Sequence, residues 1–437
     1  MATAEGTARL LRRAVESRAL HPGNVRALGP QLSCAAMGFG AYRVGGGDQE
    51  AAHGGALRAA LRTGVNLIDT SSHYSAAAGG ARLADAHGAS ERLIGRVVAE
   101  ALEAGEAARE ELILCTKVGH VAADAGQPSG AVQIAPEGVG GAAGEVWHSI
   151  DPAFVEAEVR ASRQRLGTAP DFVLLHNPEY FLSAQLQRRI PIAEAWEEMY
   201  ERLERSFGAL EALCEEGVIA SGYGVSSNFL SCLFSTTGRS NVYEALALDR
   251  VLDAAARAAG GPSAKHRLSL VQLPLNAVES GAVLGRGAVV PEADKGDCDL
   301  AGRLGVALVT NRPLNALPLP GVSTGDWGRN GPSHWRLRDA KPMGVVESLI
   351  KRVLQEAIAE EGQDGSASPP LQQVALRLAL SAPSVACCLC GSRTEGYVED
   401  VAAVLRAAPL PPERVQRALT SVRAAAEELG CERRGLW

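Results

Sequence analysis

The stretch Asn66-Leu67-Ile68-Asp69-Thr70-Ser71-Ser72-His73-Tyr74 joins a short apolar run to a series of polar side chains. The same pattern recurs in Leu114-Cys115-Thr116-Lys117 and in Val173-Leu174-Leu175-His176-Asn177. The carboxyl ends of the strands in a parallel βα barrel open onto one face, where active sites lie. The pattern therefore predicts that four side chains meet at one mouth of a barrel: Asp69, Tyr74, Lys117 and His176.

Short apolar runs alternate with helical patterns along most of the chain. The predicted strands are 35–40, 66–69, 112–117, 172–175, 219–226, 270–274, 307–311 and 385–390. The predicted helices include 56–62, 90–104, 151–166, 202–216 and 371–380. This alternation is typical of a parallel sheet with crossover helices. Eight such units predict an α/β protein with a closed (β/α)8 TIM barrel.

Composition and charge narrow the class of partner. The formal net charge of −7 gives no support to a nucleic-acid partner, which would require a basic patch. No apolar stretch approaches the ~20 residues of a membrane-spanning helix. Gly38-Phe39-Gly40 and Gly45-Gly46-Gly47 lack the spacing of a Rossmann fingerprint. We expect a soluble, cytoplasmic barrel protein with neither a membrane nor a nucleic-acid partner.

The nine cysteines show no framework spacing. Cys387-Cys388-Leu389-Cys390 falls in a predicted strand, where neighbouring side chains point to opposite faces. This cluster also lacks CxxC spacing and a second pair of ligands. We predict small buried residues there, no metal site, and a reducing compartment.

Residues 1–26 precede the barrel, which is expected to occupy 27–437. This segment carries several arginines but is interrupted by Glu5 and Glu16. Transit peptides are poor in acidic residues. An ordinary helical extension is therefore favoured, and organelle targeting is the alternative.

A phenol beside an ammonium, a carboxylate and an imidazole can exchange a proton near neutral pH. Lys117 at a strand end is costly to bury unless it is paired. Pairing with Asp69 would leave the ammonium near Tyr74 and lower the pKa of the phenol. The alternatives are a solvent-reaching Lys117, a helix-capping Asp69 and a His176 that is only part of the core.

From about Gly38 to about Val401, these motifs resemble the aldo-keto reductases. The further matching motifs are Gly88-Ala89-Ser90-Glu91-Arg92-Leu93-Ile94-Gly95, Gly224-Val225-Ser226-Ser227-Asn228-Phe229 and Gln272-Leu273-Pro274-Leu275-Asn276. The resemblance implies a hydride from a nicotinamide, a proton from Tyr74, and a substrate carbonyl oriented by His176. His73 and His53 have no counterpart in it and are interpreted as bystanders. A hairpin is expected to close the barrel floor around 26–33.

The resemblance also implies residues for the nicotinamide end of the cofactor. Ser226, Asn228 and Gln272 are expected to hold the carboxamide. The additional Ser227 leaves open whether Ser227 or Asn228 faces the amide. The aromatic residue common after strand seven is replaced by Asn311-Arg312-Pro313-Leu314, in which Arg312 could reach a phosphate.

For the phosphate end, Gly391-Ser392-Arg393-Thr394 resembles the family's phosphate-binding turn, where a helix start favours an anion. Ser392 and Arg393 are the expected contacts, with Arg393 meeting a 2′-phosphate. Asp400 falls near the acid expected at the adenine, whereas Tyr397 and Val401 depart from the usual residues. NADPH is the favoured cofactor and NADH the alternative.

Several βα connections are long: 121–150, 177–196, 277–299 and 313–343. The connection after strand seven carries Trp327, His334 and Trp335 and is the best lid candidate. The Gly/Ala-rich segment 121–150 is expected to be partly disordered, and 361–370 to be a solvated linker.

The leading hypothesis is an NADPH-dependent oxidoreductase that acts on a small aldehyde, ketone or sugar-type carbonyl. The alternatives are a nucleotide-binding regulatory subunit with little turnover and a sugar dehydrogenase working in the oxidising direction, because a fold alone does not determine function. The complete set of four catalytic side chains favours the enzyme. The substrate and the oligomeric state stay open.

Overall fold

The computed structural model describes residues 1–76, 86–122, 126–134, 146–228, 230, 246–277, 279–284, 305–314, 352–353, 356 and 369–428. The strands, in chain order, are β1 (Val25–Leu28), β2 (Leu32–Ala35), β3 (Met37–Gly40), β4 (Leu67–Asp69), β5 (Ile113–Val118), β6 (His120–Ala122), β7 (Val132–Ile134), β8 (Val146–His148), β9 (Phe172–His176), β10 (Gly222–Ser226), β11 (Leu268–Pro274), β12 (Ala307–Asn311) and β13 (Val385–Gly391).

Eight parallel strands close into a barrel in the order β3-β4-β5-β9-β10-β11-β12-β13. These are the eight strands predicted from the sequence, so the predicted (β/α)8 fold is confirmed. The register aligns their carboxyl ends: Gly40 pairs with Asp69, and Ser226 pairs with both His176 and Gln272. The strand-end residues therefore share one mouth.

The helices surround this barrel. They are α1 (Ala4–Glu16), α2 (Glu50–Arg62), α3 (Ala89–Glu103), α4 (Pro152–Leu166), α5 (Tyr180–Gln187), α6 (Ile192–Glu215), α7 (Leu248–Ala258), α8 (Gly281–Leu284), α9 (Leu371–Leu380), α10 (Glu395–Arg406) and α11 (Pro412–Glu428). Each helix named in the sequence prediction has a counterpart among them. Across the described residues, no helix is both long and apolar enough to cross a membrane.

The amino-terminal end of the barrel is closed by the hairpin of β1 and β2, as expected for 26–33. Leu28, Leu32 and Cys34 of this hairpin are buried in one cluster with Leu67 and Leu174 of the barrel strands. This end of the barrel is therefore apolar, and the polar strand-end residues lie at the opposite mouth.

Helix α1 packs against this same end of the barrel. The backbone N–H of Ala2 donates to Asp171 Oδ1 at 2.7 Å, and both Arg9 and Arg13 pair with the buried Glu111. Leu11 is also buried on this helix. Within segment 1–26, residues Ala4–Glu16 form this helix, which is part of the packed body.

Two predicted connections contain more regular structure than expected. Within 121–150, which was expected to be only partly disordered, residues of β6, β7 and β8 form a three-stranded antiparallel sheet in the order β6-β8-β7. Val132 and Ile150 bury their side chains in the main core and anchor it. Segment 177–196 contains α5 and the start of α6. The lid candidate with Trp327, His334 and Trp335 lies outside the described residues, as does most of 361–370.

The cysteine cluster lies in β13. Cys387 joins the cluster inside the barrel, whereas Cys388 and Cys390 join the cluster beneath the helices. The three thiols therefore point to opposite faces, as strand geometry predicts. Every cysteine among the described residues is free.

The segment Gly88–Gly95 secures α3 to the barrel and to α4. Glu91 is fully buried and accepts hydrogen bonds from Thr116 Oγ1 and Arg165 Nε, each at 2.5 Å. A Cβ added at Gly95 would lie 2.7 Å from the carbonyl oxygen of Arg165. The motif is explained by close helix packing around a buried ion pair.

Gly95→Ala should therefore destabilise the protein by roughly 1–3 kcal/mol, because a methyl group there overpacks the contact between α3 and α4. The matched control is Gly208→Ala in α6, where a Cβ would meet nothing within 4 Å. That helical substitution should stabilise by roughly 0.5–1 kcal/mol. Urea unfolding measures both, and a Gly95→Ala protein as stable as the Gly208→Ala protein would refute the close packing.

Candidate active site

A buried ion pair occupies the mouth of the barrel. The side chain of Lys117, at the end of β5, is 0% exposed and its Nζ donates to Asp69 Oδ2 at 2.5 Å. The same ammonium donates to the carbonyl oxygen of Thr70 at 3.0 Å. Burial lowers the pKa of Lys117, but Asp69, Tyr74 and Cys115 together raise it by more, so the net shift is upward. Lys117 is therefore a fixed cation, and neither the solvent-reaching Lys117 nor a purely capping Asp69 describes the structure.

Tyr74 follows in the turn after β4 and is half-buried. Its hydroxyl oxygen accepts from Lys117 Nζ at 3.5 Å. Burial raises the pKa of Tyr74, and the opposing effect of Lys117 is smaller. Lys117 lowers the pKa of the phenol as predicted, but burial outweighs this effect and the net shift is upward. The phenol is protonated at neutral pH, which suits a proton donor.

His176 closes this group at the end of β9. Its ring lies edge-on to Tyr74, with centroids 5.8 Å apart. Burial lowers the pKa of His176 well below its usual value, and the neighbouring His120 adds to the effect. The four predicted side chains are thus brought together, and His176 presents a neutral imidazole to the phenol.

Three more histidines surround His176. We define His73, His120, His148 and His176 as the imidazole cluster. The centroid of the His120 ring lies 4.4 Å from that of His73, 4.6 Å from that of His176 and 5.2 Å from that of His148. Burial lowers the pKa of His73 to about 3 and that of His148 to about 4, so these rings are neutral near pH 7.

The sequence interpretation left His73 as a bystander and overlooked His120 and His148. His148 belongs to the connection expected to be partly disordered, and its pairing with His120 across β6 and β8 depends on that small sheet. The position of His120, three residues beyond Lys117, was the available signal. His53 is buried in α2, where its Nδ1 accepts from the Gly45 N–H at 3.3 Å, a structural role.

An amide network extends from the ion pair toward the next strands. Gln272 Nε2 donates to Asp69 Oδ1 at 2.8 Å. Gln272 Oε1 accepts from Ser226 Oγ and from Asn311 Nδ2, each at 3.0 Å. Asn311 was mentioned in the sequence only as a departure from an aromatic. Within the described residues, its Oδ1 is buried and has no hydrogen-bond partner. This oxygen is an acceptor available to a bound amide.

The other residues predicted to contact the cofactor lie around this amide network. Asn228 is half-buried in the turn after β10, whereas Ser227 is buried. Arg312 follows β12 with φ of 57°, and its carbonyl oxygen accepts from Asn276 Nδ2 at 3.1 Å. Arg312 as a whole is half-buried. Phe229 of the same motif is outside the described residues.

The predicted phosphate turn joins β13 to α10. Ser392 is buried and Arg393 is half-buried. The pKa of His53, a residue of α2, is lowered mainly by burial and secondly by the positive charge of Arg393. Arg393 therefore lies beside α2. Asp400 accepts from Gln372 and Gln373 of α9, so its carboxylate is already used to join two helices.

Tyr397 and Val401, which depart from the usual residues of the family's pattern, lie in different environments. Val401 is 2% exposed and packs in the core beneath the helices. Tyr397 is among the exposed large side chains. Val401 is therefore a core residue, and of the two only Tyr397 is accessible.

Residues 36–231 match the family model of the aldo/keto reductase family. Over these residues the chain is similar to the aldo-keto reductases. Its resemblance to the family was inferred from the strand-end motifs, and the match confirms that inference. No curated protein matches the chain significantly.

Solved aldo-keto reductases share the fold across most of the chain. A glycerol dehydrogenase from Gluconobacter oxydans is 18% identical, with 93% of this chain and 96% of that chain covered and a TM-score of 0.58. An aldo-keto reductase from Bacillus halodurans is 19% identical, with 90% and 96% covered and a TM-score of 0.54. An aldo-keto reductase from Klebsiella pneumoniae, solved with NADP and acetate, is 17% identical, with 90% and 94% covered and a TM-score of 0.50.

Lys117→Met should destabilise the fold by about 3–5 kcal/mol, because it leaves the Asp69 carboxylate buried without its counter-ion. Adding Asp69→Asn should recover part of the loss. The control is Arg257→Met, which removes a surface pair with Glu204 and should cost no more than about 1 kcal/mol. Chemical denaturation measures all three. An equal, small loss at both sites would contradict a buried, paired Lys117.

Proposed function

We propose that this protein is an NADPH-dependent oxidoreductase that interconverts a carbonyl and an alcohol, with Tyr74 as the general acid. The observation that carries the proposal is the position of Lys117 Nζ, 2.5 Å from Asp69 Oδ2 and 3.5 Å from the Tyr74 hydroxyl. A buried cation that contacts both a carboxylate and a phenol at a barrel mouth is a means of orienting a proton donor.

The residues beside the ion pair are suited to a nicotinamide. A carboxamide offers both donors and an acceptor. It would be held by Ser226, Asn228 and Gln272, and the buried, unpartnered Oδ1 of Asn311 can accept from its NH₂ group. When bound, NADPH supplies the hydride that reaches the carbonyl carbon. The Klebsiella aldo-keto reductase solved with NADP supports this choice of cofactor.

Proton transfer is assigned to Tyr74. Because burial raises the pKa of this phenol, it carries its proton at neutral pH and can donate it to the carbonyl oxygen as negative charge develops there. Lys117 stabilises the resulting phenolate, since the ammonium is fixed by Asp69 and cannot rotate away. His176, a neutral imidazole with its ring 5.8 Å from that of Tyr74, orients the carbonyl oxygen by hydrogen bonding.

The raised pKa of Tyr74 also bears on direction. A protonated phenol is the form needed for reduction, whereas oxidation of an alcohol needs the phenolate to accept a proton. Burial keeps Tyr74 in the protonated form at neutral pH, which is the form that reduction uses.

Tyr74→Phe should lower kcat for carbonyl reduction on the order of 10²–10⁴-fold, because the general acid is removed while the shape of the ring is kept. NADPH binding, followed by nucleotide fluorescence, should stay close to wild type. A panel of aldehydes, ketones and sugars with steady-state kinetics provides the measurement.

The control for that substitution is Tyr42→Phe. Tyr42 is 47% exposed, and its ring touches that of Tyr74 edge-on at 5.3 Å, yet it has no assigned part in proton transfer. It should retain wild-type kcat. If Tyr74→Phe keeps wild-type turnover on every good substrate, Tyr74 is not the donor. NADPH binding without turnover in the wild type would instead favour the regulatory-subunit alternative.

Arg393→Ala should weaken NADPH by roughly 1.5–3 kcal/mol, the scale of a hydrogen bond to a charged group, and leave NADH almost unchanged. The reason is that a 2′-phosphate is present only in NADPH, and Arg393 lies in the turn between β13 and α10. Fluorescence titration with each nucleotide gives the two dissociation constants.

Arg312→Ala is the matched variant for the same pair of titrations, because Arg312 is the second half-buried arginine at the barrel mouth. Equal losses for both nucleotides in Arg393→Ala would assign Arg393 to the shared pyrophosphate. In another outcome, Arg393→Ala binds both nucleotides as tightly as the wild type, while Arg312→Ala loses affinity for NADPH alone. That result would assign the 2′-phosphate contact to Arg312.

A further inference from the structure

The imidazole cluster contains a set of convergent ring nitrogens that proton transfer by Tyr74 does not require. One ring nitrogen from each of His73, His120 and His176 lies within 4.8 Å of the other two. The three residues come from different parts of the mouth: the turn after β4, the start of β6 and the end of β9. Three imidazoles on separate, paired elements form a donor set that is already assembled.

Ser71 determines which nitrogens carry protons. Its hydroxyl lies 3.1 Å from the carbonyl oxygen of Lys117, which can only accept, so the single hydroxyl proton goes there. The Ser71 oxygen is then an acceptor for His73 Nδ1 at 2.9 Å and His176 Nδ1 at 3.4 Å. Both imidazoles therefore hold their proton on Nδ1 and leave the lone pair on Nε2. A polar partner on the distal nitrogen is the arrangement found around metal-bound histidines.

His120 supplies a separate observation. Its side chain is 5% exposed, and among the described residues its Nδ1 has no hydrogen-bond partner. A buried nitrogen of this kind costs free energy unless a partner reaches it. Its position beside the other two rings makes a shared ligand the partner that would serve all three.

The cluster is also held in place from behind. His148 Nε2 donates to the carbonyl oxygen of His176 at 2.7 Å. His148 pairs in register with His120 across β6 and β8. The backbone segments that carry two of the three rings are therefore linked to one another, which limits how far the ring nitrogens can separate.

We propose that His73, His120 and His176 form a binding site for a divalent transition-metal ion, with Zn²⁺ as the best fit. Three histidine nitrogens with an open fourth position are a donor set that Zn²⁺ uses in proteins. Imidazole ligands select Zn²⁺, Cu²⁺ or Ni²⁺ over Mg²⁺ and Ca²⁺, which prefer oxygen. Zn–N bonds of about 2.0–2.1 Å in a tetrahedral site place the nitrogens about 3.3 Å apart, so the rings must close by up to roughly 1.5 Å.

Occupation of this site has a consequence for turnover that rests on the proposed function. His176 is the residue assigned to the substrate carbonyl, and the Tyr74 ring lies 4.9 Å from that of His73, centroid to centroid. A metal ion held by His73 and His176 would take the place of the carbonyl oxygen. Metal and substrate should therefore exclude one another.

The binding test uses the full chain after dialysis against a chelator. Titration with Co²⁺, followed by visible absorption, should show one equivalent bound with tetrahedral d–d bands and no thiolate-to-cobalt charge transfer. Zn²⁺ should displace it, and Mg²⁺ should not. Elemental analysis after gel filtration gives the stoichiometry independently of any enzyme activity.

His120→Leu and, separately, His73→Gln should weaken binding on the order of 100-fold or more, because even outer-shell partners are worth 10–100-fold in affinity. Circular dichroism establishes that each variant is folded. If one of the two variants does not fold, the other still tests the site. The matched control is His21→Asn, whose side-chain oxygen can replace the His21 Nδ1 that accepts from the Gly23 N–H. It should bind as the wild type does.

Absence of stoichiometric Co²⁺ binding, or binding unchanged in both cluster variants, would overturn the site. In the wild type, Zn²⁺ should raise the apparent KM for the carbonyl substrate without lowering kcat, and His120→Leu should be less sensitive. Metal binding with no effect on KM would overturn the exclusion of substrate. Because binding is measured without turnover, a failure of the proposed function leaves the test of the metal site intact.

Discussion

The structure of the mouth depends on the buried contact between Lys117 and Asp69. A cation at the end of β5 can be accommodated only because the carboxylate at the end of β4 faces it. Asp69 in turn accepts from Gln272, which joins Ser226 and Asn311. One ion pair therefore connects the phenol to the amide network across the barrel, and removing either charge would disturb both sides of the site.

Much of the fold and of the candidate site follows from the sequence, because barrel strands are short apolar runs and because their carboxyl ends share a face. The polar residue that follows each apolar run is therefore predicted to lie at this shared face. Asp69, Lys117 and His176 are located by this rule alone. Tyr74 is found by its distance of five residues from Asp69.

The features of the site that the sequence did not predict depend on contacts between distant segments. The net direction of the Tyr74 pKa is set by burial, which no motif records. The sheet of β6, β7 and β8 lies in a Gly/Ala-rich segment whose strands of three residues are too short for a periodicity. His120 and His148 meet through that sheet, and His73 joins them from β4. The engagement of Asp400 by Gln373 likewise appears only when α9 and α10 pack together.

The barrel strands and the small antiparallel sheet differ in how readily their side chains can change. The ion pair and the amide network belong to the barrel strands, where a change of register would move many side chains at once. Two of the four imidazoles are carried instead by a connection between β5 and α4 that leaves the barrel hydrogen bonds untouched. Exchange of that one connection would alter the side chains beside the phenol while Tyr74, Lys117 and Asp69 are inherited unchanged.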